Sequence, residues 1–170
     1  EVAIGGAVGA PYFVLGEHGD EAWRAELRDR PAPYAELAAK NIQISLPSTF
    51  VRDVDAMEEV VRHWDSVVAY QDQLGSHGHL RSNGERINID VQVSVGYLHA
   101  GYPVQGPLVA GDELSNIETL TATGSWGWYH ELGHEAQRRP DKSWPWNNAY
   151  TFDGAVEATV NLFTTYAYDR

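Results

Sequence analysis

Cysteine is absent from this chain of 170 residues, and basic side chains are scarce. Without cysteine there can be no disulfide bond, no thiolate zinc site and no cysteine nucleophile, and the cellular compartment stays open. Twelve Lys and Arg residues stand against 24 Asp and Glu residues, for a formal net charge of −12. Because nucleic acids and anionic membranes bind basic surfaces, this balance argues against both as partners. No apolar run approaches the roughly 18 residues of a membrane-spanning helix.

Apolar and aromatic residues, by contrast, are plentiful: 43% of the chain is hydrophobic, with six Trp and nine Tyr. Such residues need a core or a binding surface to cover them, so the composition predicts a folded domain. The length suffices for one domain, and we expect residues 1–170 to belong to a single domain. Residues 1–4 resemble the middle of a strand, and 161–170 continue an amphipathic pattern without a capping residue, so we expect a fragment of a longer protein.

The most informative stretch reads His130-Glu-Leu-Gly-His134. On a helix the two histidines lie one turn apart on one face, where both imidazoles can bind one Zn2+. Chance produces such a pattern in well under ~1% of chains of this length. Glu131 lies beside the first histidine, where its carboxylate can accept a proton from a water that the metal acidifies. Glu157 is the candidate third ligand, and a fourth position then stays open for water and substrate, as in catalytic zinc sites.

The residues around this motif favour the helix that it requires. Ser125 is a candidate N-cap, and Pro140 stops the helix after its last turn. A further helix is predicted to begin near residue 154 with Asp153 as its cap. Glu157 then lies in the first turn of that helix, so its side chain can point back toward the two histidines.

The rest of the chain predicts a mixed order of strands and helices. Residues 87–95 alternate apolar and polar side chains, as a half-buried strand does. A long helix is predicted over 54–74, with Asp53 or Asp55 as its cap. Its buried stripe should comprise Met57, Val60, Val61, Trp64, Val67, Val68 and Leu74. The other predicted elements are a strand at 12–15, a helix at 20–28 and a strand at 41–46. This order favours an α+β zincin-like fold, with a mixed sheet packed on the motif helix.

Aromatic residues near the motif are candidates for the wall of a substrate cleft. The loop 96–103 combines aromatic residues with glycine, and its histidine either contacts substrate or serves only as a hydrogen-bonded loop residue. The later Trp-Pro-Trp turn either stacks against sugars or peptides or fills the core. The candidates are Tyr97, His99, Tyr102, Trp144 and Trp146. His77 and His79 are interpreted as part of a solvated loop rather than as a second metal site.

Four stretches of the chain resemble the M60 (enhancin-like, mucin-degrading) metallopeptidases. They are residues 10–16; 30–36 with 44–48; 90–94 with 96–99 and 101–103; and the motif with Gln137, Trp144 and 157–163. The zinc motif itself is shared by many gluzincins. The combination of Gly-Tyr-Pro at 101–103, Gln137 and Glu-x-Thr-Val-Asn at 157–161 is more specific, while Ala158 is a mild departure because a larger aliphatic residue is commoner there.

The resemblance implies a secreted or cell-surface zinc endopeptidase that acts on O-glycosylated, mucin-like proteins. Its metal ligands map to His130, His134 and Glu157, and its general base maps to Glu131. The family domain extends beyond Arg170, so we expect any residue that stabilises the transition state to lie outside this segment.

Two other functions remain open on the residues alone. The first is a different gluzincin hydrolase, such as an aminopeptidase, for which a closed cleft with an acidic amine-binding group would be expected. The second is a glycoprotein-binding module that keeps the fold without its chemistry. The intact Glu131 argues against the second function, since a protein that only binds needs no general base.

Overall fold

The protein's structure, a computed structural model, describes residues 5–76, 83–138, 151–152 and 154–170. Its sheet has five strands in sequential order. They are β1 (Tyr12–Val14), β2 (Tyr34–Ala38), β3 (Ile42–Pro47), β4 (Glu85–Asp90) and β5 (Val104–Pro107). Strands β2 and β3 pair antiparallel, whereas the other three neighbouring pairs are parallel. The sheet is therefore mixed, as the order of elements predicted.

Five α-helices accompany the sheet in the described part of the chain. They are α1 (Asp20–Ala25), α2 (Met57–Gly75), α3 (Ile117–Thr123), α4 (Trp126–Ala136) and α5 (Val156–Tyr168). The predicted long helix, motif helix and last helix correspond to α2, α4 and α5. Within the described residues, none of these helices is both long and apolar enough to cross a membrane.

The core lies between the inward face of the sheet and α2. Met57, Val60 and Trp64 of α2 are fully buried there, and the Trp64 indole Nε1 donates to the Leu114 carbonyl at 2.9 Å. The predicted stripe is confirmed at six of its seven positions. Leu74 is the exception, since 39% of it is exposed. It lies in the last turn of α2 and lines an open cavity together with Leu162 and Phe163 of α5.

The structure differs from the sequence expectations in the extent of one strand and in three elements that were not predicted. The strand predicted at 87–95 ends at Asp90 because the pairing of β4 with β3 stops at Asn88 and its pairing with β5 stops at Asp90. Val91 and Val95 are consequently exposed in a loop. Sequence patterns also left out β2, β5 and α3. The peptide bond between Tyr102 and Pro103, in the loop before β5, is cis.

Of the predicted helix caps, only Ser125 occupies its expected position in the described part of the chain. Ala56 occupies the N-cap of α2, and the carboxylate of Asp20, from α1, accepts from the Glu58 amide at 2.8 Å. Ser125 does hold the N-cap position of α4, but its hydroxyl donates to Glu113 at 2.9 Å instead of accepting from the helix. Ala155 is the N-cap of α5, and the predicted cap Asp153 lies outside the described residues.

Candidate metal centre

Helix α4 is fixed by contacts with the sheet and with α2. The buried Trp128 ring packs on Gly106 of β5 so closely that a Cβ at residue 106 would lie 2.5 Å from it. On the α2 side, the Gln71 side-chain amide donates to the Tyr129 carbonyl at 2.7 Å. These contacts hold the rotation of α4 so that the next residues, His130 and Glu131, face away from the core.

Helix α5 packs against α4 at a glycine. A Cβ at Gly133 would lie 3.0 Å from the Val160 methyl group and 3.2 Å from the Phe163 Cβ. Val160 and Phe163 are themselves buried, so this contact is tight. The close approach places the first turn of α5, which carries Glu157, beside the two histidines.

Three potential metal donors converge where these helices meet. The Glu157 Oε2 atom lies 3.1 Å from His130 Nε2 and 3.2 Å from His134 Nε2. The donor atoms of the three residues all lie within 4.8 Å of one another. The structure therefore brings together the three residues that the sequence proposed as ligands.

Both histidines are oriented by side-chain amides that contact their Nδ1 atoms. Asn161 Oδ1 lies 3.1 Å from His130 Nδ1, and Gln137 Oε1 lies 3.1 Å from His134 Nδ1. Histidine ligands of metals typically donate their second N–H to such an oxygen, which fixes the ring and leaves the other nitrogen free. Here that arrangement turns both Nε2 atoms toward Glu157.

The donor set fits zinc in kind, and Glu157 lies at a suitable distance from both histidines. Two imidazole nitrogens and one carboxylate oxygen are a known ligand set for catalytic zinc. Ligands about 2.0–2.1 Å from a tetrahedral ion lie about 3.3–3.4 Å apart. The separations of 3.1 and 3.2 Å between Glu157 and the histidines are close to that value.

Electrostatics favour an ionised Glu157. Burial by itself would raise the pKa of this carboxyl, but the neighbouring His134 and His130 outweigh that effect, so the pKa is lowered. The side chain is nevertheless 78% exposed. Glu157 is thus an anionic donor that solvent reaches easily, unlike the buried His134.

Glu131 and two of the three donors, His134 and Glu157, line a cavity of about 370 Å3. Its lining residues are Val95, Gly96, Leu98, His99, Ala100, Glu131, His134, Arg138 and Glu157. The candidate His99 therefore borders the metal centre. Tyr97 and Tyr102 are exposed and are not among these lining residues. The other two candidates, Trp144 and Trp146, lie outside the described residues, as do His77 and His79.

Some residues at the centre were given no chemical role by the sequence patterns. Gln137 and Asn161 were noted only as family markers, yet each contacts the outer nitrogen of a histidine. Their spacing was a usable signal, because Gln137 follows His134 by three residues and Asn161 follows Glu157 by four. Arg138 lines the cavity and pairs with the fully buried Glu135 at 3.3 Å. The spacing of three residues between Glu135 and Arg138 is likewise a local signal for such a pair.

A mixed sheet packed on a helix with the His-Glu-x-x-His pattern is the architecture of metallopeptidase catalytic domains. The chain belongs to the family Peptidase M60, enhancin and enhancin-like, whose sequence model matches residues 6–170.

Relatives of the chain with assigned names are called channel-associated factors rather than peptidases. The chain is 38% identical over 168 residues to TRPM8 channel-associated factor 1 of Bos taurus. A TRPM8 channel-associated factor homolog of Danio rerio is 35% identical over 171 residues. These matches cover 99% and 100% of this chain but only 17% and 18% of the relatives, so the chain spans about a sixth of their length.

Solved structures agree with the fold. A metallopeptidase in complex with Tn antigen superposes with a TM-score of 0.76 at 20% identity, covering 93% of this chain and 29% of that one. The catalytic module of the metalloprotease ZmpA from Clostridium perfringens gives a TM-score of 0.66 at 15% identity, covering 96% of this chain and 34% of that one. At such identities the likeness establishes the fold.

Proposed function

We propose that this chain is part of the catalytic domain of a zinc-dependent endopeptidase. The observation that carries the proposal is the convergence of His130, His134 and Glu157 beside a cavity that Glu131 also lines. The resemblance to the M60 family is what favours cleavage within a chain over removal of a terminal residue.

The chemistry divides between the metal and Glu131. His130, His134 and Glu157 would hold the zinc, which would supply a Lewis acid that polarises a substrate carbonyl and lowers the pKa of water from about 15.7 to about 7. Glu131 accepts the proton of the attacking water and then delivers it to the leaving amine. His99 lies across the same cavity, where it can contact the substrate.

We further propose an O-glycosylated, mucin-like substrate and a secreted or cell-surface location. Membership in the M60 family supports this, as does a structural neighbour solved with Tn antigen. Exposed Tyr97, in the loop that borders the cavity, offers an aromatic face on which sugars can stack, and Tyr102 is a second aromatic candidate in that loop. The net charge of −12 suits a soluble extracellular protein.

A second candidate function is binding without proteolysis. The relatives that are 35–38% identical are named for association with the TRPM8 channel. A chain of this kind could therefore bind a membrane glycoprotein such as an ion channel. The retained Glu131 favours catalysis, since binding alone gives no use for a general base.

Replacing Glu131 with glutamine in the intact protein separates the two functions. We expect Glu131→Gln to keep zinc and fold but to lose about 10²–10⁴-fold in cleavage rate, because an amide cannot accept the proton. Glu118→Gln, an exposed change on α3, is the matched control and should leave the rate unchanged.

Incubation with a mucin and with the same mucin stripped of its glycans tests the substrate. Equal cleavage by wild type and Glu131→Gln would remove the catalytic role. Preference for the stripped mucin would keep the peptidase and overturn the mucin assignment. Zinc binding without cleavage of either form, together with capture of a channel protein, would favour the second function.

A further inference from the structure

Gln137 contacts both helices that carry the proposed ligands. It follows the last residue of α4 directly and is fully buried. Its amide nitrogen donates to the Val156 carbonyl at 3.0 Å and to the Thr159 hydroxyl, both in the first turn of α5. Its amide oxygen lies 3.1 Å from Nδ1 of His134. One side chain therefore bridges a ligand on α4 and the turn that carries Glu157.

The partners of Gln137 determine which way its amide points. A backbone carbonyl such as that of Val156 can only accept a hydrogen bond, so it must face the amide nitrogen. The Thr159 hydroxyl donates its single proton to the Ala155 carbonyl at 3.0 Å, so it too must accept from Gln137. The amide oxygen is thereby left facing His134.

The orientation of Gln137 in turn fixes the proton on His134. An amide oxygen cannot donate, so Nδ1 of His134 must carry the hydrogen that joins them. A neutral imidazole has one protonated nitrogen, and its Nε2 lone pair is then free to bind a metal. That Nε2 is the nitrogen that faces Glu157.

We propose that Gln137 is a positioning residue that fixes the tautomer and ring orientation of His134 and holds the two ligand helices in register. The inference rests on the proposed metal site. It differs from the role of Asn161, which lies on α5 itself and contacts only the other histidine among the described ligands. Gln137 does not titrate, so its orienting effect persists across the pH range in which the fold is stable.

Two substitutions in the intact protein separate orientation of His134 from simple packing. Gln137→Met has a similar volume but removes the acceptor for Nδ1 and both donors to α5. Gln137→Glu restores an acceptor for Nδ1 while weakening the contacts with Val156 and Thr159. Zinc affinity, measured by competition with a chelator, should fall about 10–100-fold in Gln137→Met and stay near the wild-type value in Gln137→Glu.

Thermal unfolding of the metal-free protein provides the comparison. Both variants should unfold at lower temperature than wild type, because both disturb the contact with α5. If Gln137 were merely structural, zinc affinity would follow this stability and Gln137→Glu would lose it too. That result would overturn the proposal.

Nitrogen-15 NMR of the zinc-loaded protein gives a second readout. Nδ1 of His134 should carry a proton in wild type and in Gln137→Glu, and this signal should shift or broaden in Gln137→Met. An unchanged signal and unchanged zinc affinity in Gln137→Met would refute the positioning role while the peptidase proposal stood. A wild-type protein that binds zinc but cleaves nothing would overturn the peptidase proposal and leave the positioning role of Gln137 standing. A wild-type protein without zinc affinity would overturn both proposals.

Discussion

The two helices that supply the proposed ligands are held in different ways. In α4, Trp128, Leu132 and Ala136 are all buried, and the helix is fixed between β5 and α2. In α5, Val160 and Phe163 are buried, and the helix is placed by its contacts with α4 and α2. Two ligands thus come from a helix fixed between the sheet and α2, whereas the third comes from a helix that packs on α4 and α2. The metal centre depends on how well α5 is placed against α4.

The α4–α5 contact, defined here by Gly133, Gln137, Val160 and Phe163, therefore controls the geometry of the metal centre. These residues do not contact the carboxylate of Glu157, yet they determine where α5 begins. Changes in this contact should therefore alter metal binding, whereas changes where α4 meets the sheet should alter mainly the stability of the fold.

The largest effect is expected from removing one ligand from each helix. His134→Ala and Glu157→Ala should each lower zinc affinity by more than the 10–100-fold typical of changes outside the ligand shell. Only His134→Ala should also destabilise the metal-free protein, by about 1–3 kcal/mol, because it leaves the buried Gln137 oxygen without its partner. Chelator competition and denaturant unfolding measure the two quantities. Undiminished zinc in His134→Ala would refute the ligand assignment, and equal destabilisation by both variants would refute the contrast between the helices.

Next in size is a change at the helix contact. Gly133→Val places a branched side chain where a Cβ alone already lies 3.0 Å from Val160 and 3.2 Å from Phe163. Overpacking of this kind typically costs about 1–3 kcal/mol, and here it should also move α5 away and weaken zinc binding. Ala122→Val, an exposed helical change on α3, controls for the lower helix propensity of valine. Zinc affinity equal to wild type would show that α5 can shift without moving Glu157.

The contact of α4 with the sheet gives the complementary test. Gly106→Ala directs a methyl group at the Trp128 ring, with a Cβ only 2.5 Å away and a Leu98 methyl at 2.9 Å. Stability should fall by about 1–3 kcal/mol. Zinc affinity should change less than in Gly133→Val, because a shift of α4 moves both histidines together and keeps the distance between them. Gly19→Ala, where a Cβ would meet nothing within 4 Å, is the control.

The sequence was most informative where a pattern is local and repeated. Helix α2 could be predicted because its buried residues recur at helical spacing, and α4 because His130 and His134 must share one face to bind one ion. The place of Glu157 in the first turn of α5 followed from a helix predicted to begin near residue 154, and α5 begins at Val156. The three residues indeed lie together, although their roles as ligands stay predictions.

What the sequence could not show depends on contacts between distant segments. Strand β5 contains Gly106 and Pro107, which strands normally avoid, and the glycine is needed there because the Trp128 ring occupies the space of a side chain. The cap of α2 comes from Asp20, 38 residues before Glu58. The strand predicted to reach residue 95 alternates correctly but has no neighbouring strand after Asp90. Alternation reports which side chains could be buried, and pairing decides how far a strand extends.

The smallest expected effect concerns the far side of α4, where Tyr129 meets α2. Its hydroxyl lies 2.7 Å from Nε2 of His63. Burial lowers the pKa of His63 and raises that of Tyr129 to about 12, so at neutral pH the tyrosine donates to a neutral imidazole. The cavity beside this pair is also lined by the charged residues Glu59, Arg62 and Arg170.

The stability of the fold should therefore fall as the solution becomes acidic. Unfolded chains protonate histidine near pH 6.5, whereas folded His63 resists protonation until the pH is lower, so the unfolded state binds more protons in that window. The contribution of His63 is complete above about pH 6.5 and is lost as the pH falls toward its lowered folded pKa. His63→Gln keeps an acceptor for Tyr129 but does not titrate, so the free energy of unfolding should depend less steeply on pH between about 7.5 and 5.5 than in wild type. Denaturant titrations of both proteins across that range, in the presence of a chelator, measure the difference. Parallel pH profiles would mean that the His63–Tyr129 contact persists after His63 is protonated.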